Sequence, residues 1–146
     1  MAHIGLTPQS VHKLGGYSVQ GKTSDAAQRL IEDAKMLEDA GAFAVVLELV
    51  PREIAEIVTE ELKISTVGIG AGANCDIQVL VLHDLVGLSF GRLPRFVRQY
   101  ADIRGVMTEA VQSWMEDVKN GGYPNEKESY GMPKDIDTKS IKKQAS

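Results

Sequence analysis

The most distinctive stretch of the chain is an apolar run at residues 43–49, which Pro51 closes. One charged residue, Glu48, stands near the end of this run. A short run that is apolar at nearly every position is typical of a strand buried on both faces of a parallel sheet. A carboxylate at the exit of such a strand is costly to desolvate unless it faces a cavity or a partner. Because active sites of parallel α/β folds lie at that edge, we expect Glu48 either to act as a base or to pair with a nearby Lys or Arg.

Helical and strand patterns alternate on both sides of this run. Apolar residues recur at helical spacing after a polar start signal at residues 23–25, and Gly41 is placed as the stop. A second helical pattern follows Pro51, and a further strand is predicted at residues 64–69. Such alternation is typical of a parallel sheet with helices, so the predicted class is α/β.

The next connection departs from this simple alternation. A strand is predicted at residues 79–82, closed by His83 and Asp84. The link before this strand is shorter than the roughly one dozen residues of a normal parallel crossover. We therefore expect a single helical turn near residues 74–77 to make the link.

The strand count predicts a sheet that does not close. Three strands and a strand remnant near Ile4 leave open, apolar edges. A closed eight-stranded α/β barrel takes roughly 250 residues, whereas this chain has 146 residues. The chain also begins at what reads as the exit of a strand, so we expect Met1 to be a start placed inside a longer fold.

The C-terminal part is predicted to be one helix and a tail. The helical pattern opens at Pro94 and stops at residues 121–122, and its face around Trp114 is interpreted as core or subunit contact. We predict a partial barrel domain at residues 1–122 and a mostly disordered or strapping tail at residues 123–146, which contains little that could form a core.

Composition narrows the class of protein. The hydrophobic and charged fractions, 43% and 25%, are those of an ordinary globular domain, and the net charge of −4 does not favour nucleic acid or an anionic membrane as partner. The single cysteine, Cys75, excludes an internal disulfide and favours a reducing compartment. No apolar stretch is long enough to span a bilayer, and the N-terminus lacks signal-peptide order. We predict a cytoplasmic protein.

Three other sets of residues have a functional and a plainer interpretation. Residues 68–73 fit G-x-G-x-x-A, but a dinucleotide fingerprint needs a long helix next, which is not predicted here. His83 and Asp84 could act together as a general base or as metal ligands. Neighbouring residues on a strand point to opposite faces, however, which favours a hydrogen-bonding role at the strand end. Cys75 has no His at a recognisable spacing to activate it as a nucleophile.

The chain contains six short motifs: HIGLTPQS at residues 3–10, GGY at 15–17, VQG at 19–21, VLE at 46–48 with VP at 50–51, GIGAG at 68–72 and LHD at 82–84. In their order and spacing they resemble the ketopantoate hydroxymethyltransferase (3-methyl-2-oxobutanoate hydroxymethyltransferase) family. The resemblance runs from His3 to about Pro124.

The resemblance implies a fold and an activity. The family is a metal-dependent (β/α)8 TIM barrel, commonly a homodecamer, and this chain would be its C-terminal half, from the end of strand 5 to strand 8, with C-terminal helices and a flexible tail. The family transfers a hydroxymethyl group from 5,10-methylenetetrahydrofolate to 3-methyl-2-oxobutanoate. The product is 2-dehydropantoate (ketopantoate), in the first step of pantothenate and coenzyme A biosynthesis. The implied cofactor is Mg²⁺.

The resemblance also assigns roles to residues. Glu48 falls on the glutamate that removes the substrate proton, and His3 on a histidine close to bound substrate. The family's metal-binding aspartates, and its substrate-binding serine and lysine, lie in the N-terminal half, so neither Asp76 nor Asp84 inherits a metal role and no metal ligand is predicted. Leu49 stands where the family often has cysteine or another small residue, and we expect this difference to have no effect.

The missing half limits what is predicted for this chain. We expect it to be incomplete as a catalyst, and to need the N-terminal half or to join a homo-oligomer around a small-molecule substrate, without nucleic acid or membrane. Two alternatives are a catalytically inactive assembly piece and a related metal-dependent 2-oxo acid carbon–carbon lyase.

Overall fold

The computed structural model describes residues 1–12 and 15–136. The chain divides into two compact units, Met1–Ala101 and Asp102–Ser146. The tail predicted at residues 123–146 falls in the second unit, and its last ten positions, 137–146, lie outside the described residues. Within the described ranges, none of the helices combines the length and apolar character needed to cross a bilayer.

The first unit is an α/β structure with one four-stranded parallel sheet. The strands lie side by side in chain order, so the predicted parallel α/β class is confirmed. Its elements are β1 (Ala2–Gly5), a 3₁₀ turn (Pro8–Ser10), α1 (Ser24–Asp39), β2 (Ala44–Glu48), α2 (Arg52–Glu61), β3 (Ser65–Ile69), β4 (Ile77–Gln78) and α3 (Leu82–Leu85).

Local sequence signals place the first helix where they predict it. The side chain of Thr23 accepts a hydrogen bond from the backbone N–H of Ala26 at 3.2 Å, which caps the start of α1. At the other end Gly41 adopts φ +91°, a conformation that glycine reaches without strain. These two residues confirm the predicted start and stop, and β2 follows three residues after Gly41.

The two faces of the sheet differ in burial. Strand alternation and the pairing register put Val45 and Leu47 on one face, and both are fully buried. Full burial of each such side chain contributes about 1.5–3 kcal/mol. This "helix face" packs against both α1 and α2, and the residues those helices supply to the core are Leu30, Ala34, Ala55 and Val58.

The prediction that β2 is buried on both faces is confirmed only in part: Ala44, on the face opposite to Val45, is buried as well. Val46, on the opposite face, is only partly buried, and Phe43 is 73% exposed and precedes the strand. The reason is that α1 and α2 both pack on the helix face. The opposite face, which carries His3, Val46 and Glu48, is called the "site face" below.

The link between β3 and β4 contains no helical turn, contrary to prediction. Asp76 replaces it with a clasp: its carboxylate accepts hydrogen bonds from the backbone N–H of Thr66 at 2.7 Å and from the Thr66 hydroxyl at 3.1 Å. The Asp76 N–H donates back to Thr66 Oγ1 at 3.1 Å, and Thr59 of α2 shares the same hydroxyl at 2.9 Å. Side-chain hydrogen bonds therefore hold the parallel neighbour in place without a crossover helix.

The last strand of the sheet lies earlier than predicted. β4 is Ile77–Gln78, and the sheet hydrogen bonds end when Val79 N–H donates to the carbonyl of Gly68 at 3.0 Å. The predicted strand at residues 79–82 is therefore wrong, because the ladder is already complete where that strand would begin. His83 and Asp84 lie within the short helix α3 and do not close a strand.

The second unit contains α4 (Ile103–Asn120) and a 3₁₀ turn (Glu126–Glu128). The helix starts at Asp102, whose carboxylate accepts from Gly105 N–H at 3.0 Å, so the predicted start at Pro94 was wrong. It ends at Gly121 as predicted, with φ +72°. Within this unit Trp114 is 52% exposed and meets Tyr123 edge to face at 6.4 Å, so it is not a core residue of the unit.

The Thr66 clasp predicts a stability effect. Thr66→Val keeps the shape of the side chain but leaves the Asp76 N–H without its acceptor, in a site where Thr66 is fully buried. It also removes the hydroxyl contact to Thr59, whose own hydroxyl still donates to the Ala55 carbonyl at 2.8 Å. We expect a loss of about 1–3 kcal/mol in the free energy of unfolding, measured by urea denaturation. The matched control is Thr108→Val, whose hydroxyl donates to the Arg104 carbonyl on an exposed helix surface and should change stability by less than about 0.5 kcal/mol. Equal effects of the two substitutions would contradict the structural role of the clasp.

Candidate functional site

The two residues singled out in the sequence meet at the exit of β1 and β2. In the parallel register, His3 pairs with Val46 and Gly5 pairs with Glu48, which puts the His3 and Glu48 side chains on the site face. His3 Nε2 lies 3.1 Å from Glu48 Oε2. A carboxylate and an imidazole thus share one place although 44 positions separate them in the chain.

The pair is only partly withdrawn from water. The side chains of His3 and Glu48 are 31% and 16% exposed. Their separation is that of an ion pair, but no hydrogen bond of acceptable geometry joins them, so the buried Nε2 atom has no hydrogen-bond partner among the described residues. A partly exposed pair of this kind contributes at most about 1 kcal/mol to stability. The pair is therefore of chemical interest: a partly exposed carboxylate lies beside a ring nitrogen that is buried without a hydrogen-bond partner among the described residues.

Gly5 makes this close approach possible. It adopts φ +85°, and a Cβ atom on it would overlap the carbonyl oxygen of Glu48. The next residue, Leu6, donates its N–H to that same carbonyl at 2.8 Å and is fully buried. Position 5 requires glycine for two reasons: its backbone is left-handed, and a side chain there would overlap the Glu48 carbonyl. The hydrogen bond from Leu6 to that carbonyl ties β1 to the end of β2.

The remaining sequence candidates lie elsewhere. His83 is exposed on α3, and the Asp84 carboxylate accepts a hydrogen bond from the hydroxyl of Ser89, which is a local structural role. Cys75 is buried, and burial raises the pKa of its thiol despite hydrogen bonding to Thr59 and Thr66, so it is a poor nucleophile. The glycine motif at residues 68–72 is followed by a loop and β4, so the helix that a dinucleotide site needs is missing.

The described residues do not fit a magnesium site. Residues 1–12 and 15–136 contain no group of three His, Cys, Asp or Glu side chains that could hold a metal ion. Glu48 is the carboxylate of the pair, and its Oε2 is already beside His3 Nε2. Mg²⁺ demands near-octahedral oxygen coordination. One carboxylate next to an imidazole does not provide that arrangement.

A shallow depression at the start of α2 is separate from this pair. It is lined by Arg52, Glu53, Glu56, Ala73 and Asn74. Arg52 and Glu53 hydrogen-bond at 2.7 Å, which raises the pKa of the guanidinium and lowers that of the carboxyl. Both side chains are exposed, so solvent screens the pair. The depression contains neither His3 nor Glu48.

Comparison with known proteins places the chain in a family. The family model for ketopantoate hydroxymethyltransferase matches residues 1–126. The chain belongs to the ketopantoate hydroxymethyltransferase family. It is similar to the 3-methyl-2-oxobutanoate hydroxymethyltransferase of Geobacter metallireducens, with 56% identity over 130 residues, covering 89% of this chain and 49% of the relative. It is also similar to the enzyme of that name from Clostridium botulinum, with 51% identity over 143 residues, covering 98% of this chain and 50% of the relative.

The chain spans about half the length of the curated relatives it matches. A third relative of the same name, from Carboxydothermus hydrogenoformans, is 53% identical over 136 residues and is covered to 49% of its length. The relatives are named as transferases of a hydroxymethyl group. Family membership and the parallel α/β sheet are consistent with part of a TIM-barrel family fold.

Two features of the candidate site were not predicted from the sequence. The sequence contains one indication of the close approach at Gly5, namely a glycine directly after the strand remnant. The neighbouring residues do not indicate that Gly5 approaches the backbone of Glu48. The sequence contains no indication of the conformation of Leu49, with φ +49°, because leucine is not a residue that favours positive φ.

Gly5→Ala tests the close approach. Gly41 has nearly the same φ but open space where a Cβ would lie, so Gly41→Ala is a matched control that isolates backbone strain. We expect Gly41→Ala to cost about 1–2 kcal/mol in unfolding free energy. Gly5→Ala should cost at least about 2 kcal/mol more, because the Glu48 carbonyl must move as well. Equal urea midpoints for the two variants would show that the backbones are not in contact.

Cys75 predicts a reactivity pattern. Because burial restricts access and raises the pKa of the thiol, less thiolate is present at pH 8 in the folded chain than in the unfolded chain. We expect iodoacetamide to alkylate the folded chain at least about tenfold more slowly than the chain in concentrated guanidinium chloride, with the folded rate still rising above pH 9. Equal rates in the two states would return Cys75 to the list of candidate nucleophiles.

Proposed function

We propose that this chain is the C-terminal half of a TIM-barrel ketopantoate hydroxymethyltransferase, running from the end of strand 5 to strand 8. The proposed reaction transfers a hydroxymethyl group from 5,10-methylenetetrahydrofolate to 3-methyl-2-oxobutanoate. Family membership supports the reaction class, and the half-length match supports the division. The observation that carries the proposal is the His3–Glu48 pair at the exits of two parallel strands, with Nε2 and Oε2 3.1 Å apart.

Glu48 is the proposed base. Its carboxylate takes the proton from C3 of the 2-oxo acid, the carbon next to the ketone, so the C–H bond breaks and its electron pair stays on the substrate. That carbon then bonds to the methylene carbon carried by the folate, and water supplies the hydroxyl oxygen of the product as tetrahydrofolate leaves. The 16% exposure of the Glu48 side chain leaves the carboxylate accessible to a substrate on the site face.

His3 is the proposed substrate-orienting residue. Its Nε2 atom is buried without a hydrogen-bond partner among the described residues, and a hydrogen bond to a polar atom of a ligand would remove that cost. The 31% exposure of the ring leaves it open towards the site face. A substrate oxygen bound at Nε2 would lie within reach of Glu48, which places a carbon acid beside its base.

The rest of the site is proposed to lie in the N-terminal half. The described residues, 1–12 and 15–136, do not fit a magnesium site, so we assign the ligands of the Mg²⁺ expected for the family to that half. When bound there, the cation supplies Lewis-acid polarisation of the 2-oxo acid. The parallel sheet supports the same division, since β1 and β4 are edge strands that a complementary half could extend. We further propose a cytoplasmic, homo-oligomeric enzyme.

The open sheet also favours a second candidate for the chain by itself, an assembly piece without activity. The purified 146-residue chain, given 3-methyl-2-oxobutanoate, 5,10-methylenetetrahydrofolate and Mg²⁺, should form no ketopantoate above the blank. Addition of the N-terminal half of the Geobacter metallireducens relative should restore formation of the product, measured by chromatography. Product from the chain alone would refute the division of the site, and no product from the mixture would leave the assembly piece as the better description.

Glu48→Gln tests the base in that mixture. The amide keeps the size of the side chain but does not accept the C3 proton, so we expect kcat to fall by about 10²–10⁴-fold while the two halves still associate. The matched control is Glu60→Gln, an exposed carboxylate on α2, which should leave kcat unchanged. Full activity of Glu48→Gln would remove Glu48 from the mechanism.

A further inference from the structure

The residue directly after Glu48 has an unusual backbone conformation. Leu49 adopts φ +49°, and it is the only residue other than glycine with a positive φ among the described residues. The left-handed conformation costs a residue with a Cβ about 1–2 kcal/mol, a cost that glycine would avoid. A strained residue next to a proposed base points to a role for that residue in the site.

Backbone hydrogen bonds from three separate segments hold this turn. Leu49 donates its N–H to the carbonyl of Ile69 at 3.0 Å, at the end of β3. Its own carbonyl accepts from Gln20 N–H at 2.8 Å, in the loop before α1. The preceding carbonyl, of Glu48, accepts from Leu6 N–H at 2.8 Å. Each bond contributes about 0.5–1.5 kcal/mol net, so together they offset the strain and fix the peptide planes on both sides of Leu49.

The leucine side chain adds a fourth anchor. Its Cδ2 atom lies 3.2 Å from the point where a Cβ on Gly70 would be, just beyond β3. Gly70 itself has φ +64° and carries no side chain, so the leucine lies against bare backbone. Phe96 reaches the same point, with its ring carbon 2.8 Å from that position. Glycine at position 49 would keep the turn but lose this packing.

We propose that Leu49 is a positioning residue that directs the Glu48 carboxylate towards His3. The left-handed turn, held by the three backbone hydrogen bonds and by packing on Gly70, leaves the peptide between Glu48 and Leu49 one orientation. The Glu48 side chain therefore leaves the strand end in a fixed direction, 3.1 Å from His3 Nε2. The catalytic meaning of this role rests on the proposed function. It replaces the expectation that leucine at this position has no effect.

The first test measures how strongly His3 senses Glu48 in the full chain. NMR records the shift of the His3 ring signals caused by Glu48→Gln, in the wild-type, Leu49→Met and Leu49→Gly backgrounds. Methionine retains an apolar side chain of similar length, so the shift should match that of the wild type within experimental error. Glycine permits the same turn but loses the packing on Gly70 and gives the backbone more freedom. We therefore expect the shift to fall at least about threefold, as the coupling of two residues falls when their geometry loosens.

A structural role alone would give a different result. Leu49→Gly would then change the urea midpoint, but the response of His3 to Glu48→Gln would be equal in all three backgrounds, and that outcome overturns the proposal. Leu49→Ala covers the case in which Leu49→Gly does not fold. It keeps the Cβ and the backbone strain but removes the packing on Gly70, so it should also weaken the response. An undiminished response in Leu49→Ala would likewise count against the proposal.

The second test separates this proposal from the proposed function. In the mixture of the two halves, Leu49→Gly should lower kcat by about tenfold with little change in KM, because the base is misdirected while substrate binding is retained. Leu49→Met should keep kcat at the wild-type value, because it retains an apolar side chain of similar length. If Glu48→Gln is fully active, the proposed function fails, but the NMR response of His3 still tests whether Leu49 positions Glu48. If the NMR responses are equal, the Leu49 proposal fails while the test of Glu48 stands.

Discussion

The pairing of β1 with the end of β2 is the contact on which the candidate site depends. Gly5 lies opposite Glu48, and the absence of a side chain there lets Leu6 hydrogen-bond the Glu48 carbonyl at 2.8 Å. This bond continues the register in which Ala2 to Gly5 pair with Val45 to Glu48, and that register puts His3 on the same face as Glu48. A shift by one residue would move one of them to the helix face, where neither has room.

The sheet separates stability from chemistry by using its two faces differently. The helix face buries Val45 and Leu47 completely against α1 and α2, and this is where the hydrophobic free energy of the first unit is gained. The site face is partly exposed and carries the side chains of His3 and Glu48. The Thr66–Asp76 clasp belongs to the helix-face side of this division, because it holds β4 in the sheet without occupying the site face.

Under the proposed function, the chain supplies one part of the site and the N-terminal half supplies the rest. It spans about half of its relatives, and the described residues hold no group of three metal-binding side chains. The carboxylate and the histidine on these adjacent strands still have definite geometry, because the hydrogen bonds that fix them run within the first unit. The proposed division therefore puts Glu48 and His3 in this chain and the metal ligands in the N-terminal half. The activity of the mixture tests what each half contributes.

Local signals determined the elements, the class and the family. Thr23 and Gly41 bound α1, apolar runs mark β2 and β3 to within a residue or two, and short motifs identify the family, because caps, runs and motifs are properties of neighbouring residues. Long-range contacts decided the rest. The early position of β4, the exposure of the site face and the 3.1 Å approach of His3 to Glu48 all depend on partners distant in sequence. The left-handed Leu49 is the clearest case, since its conformation comes from hydrogen bonds to three remote segments and not from any preference of leucine.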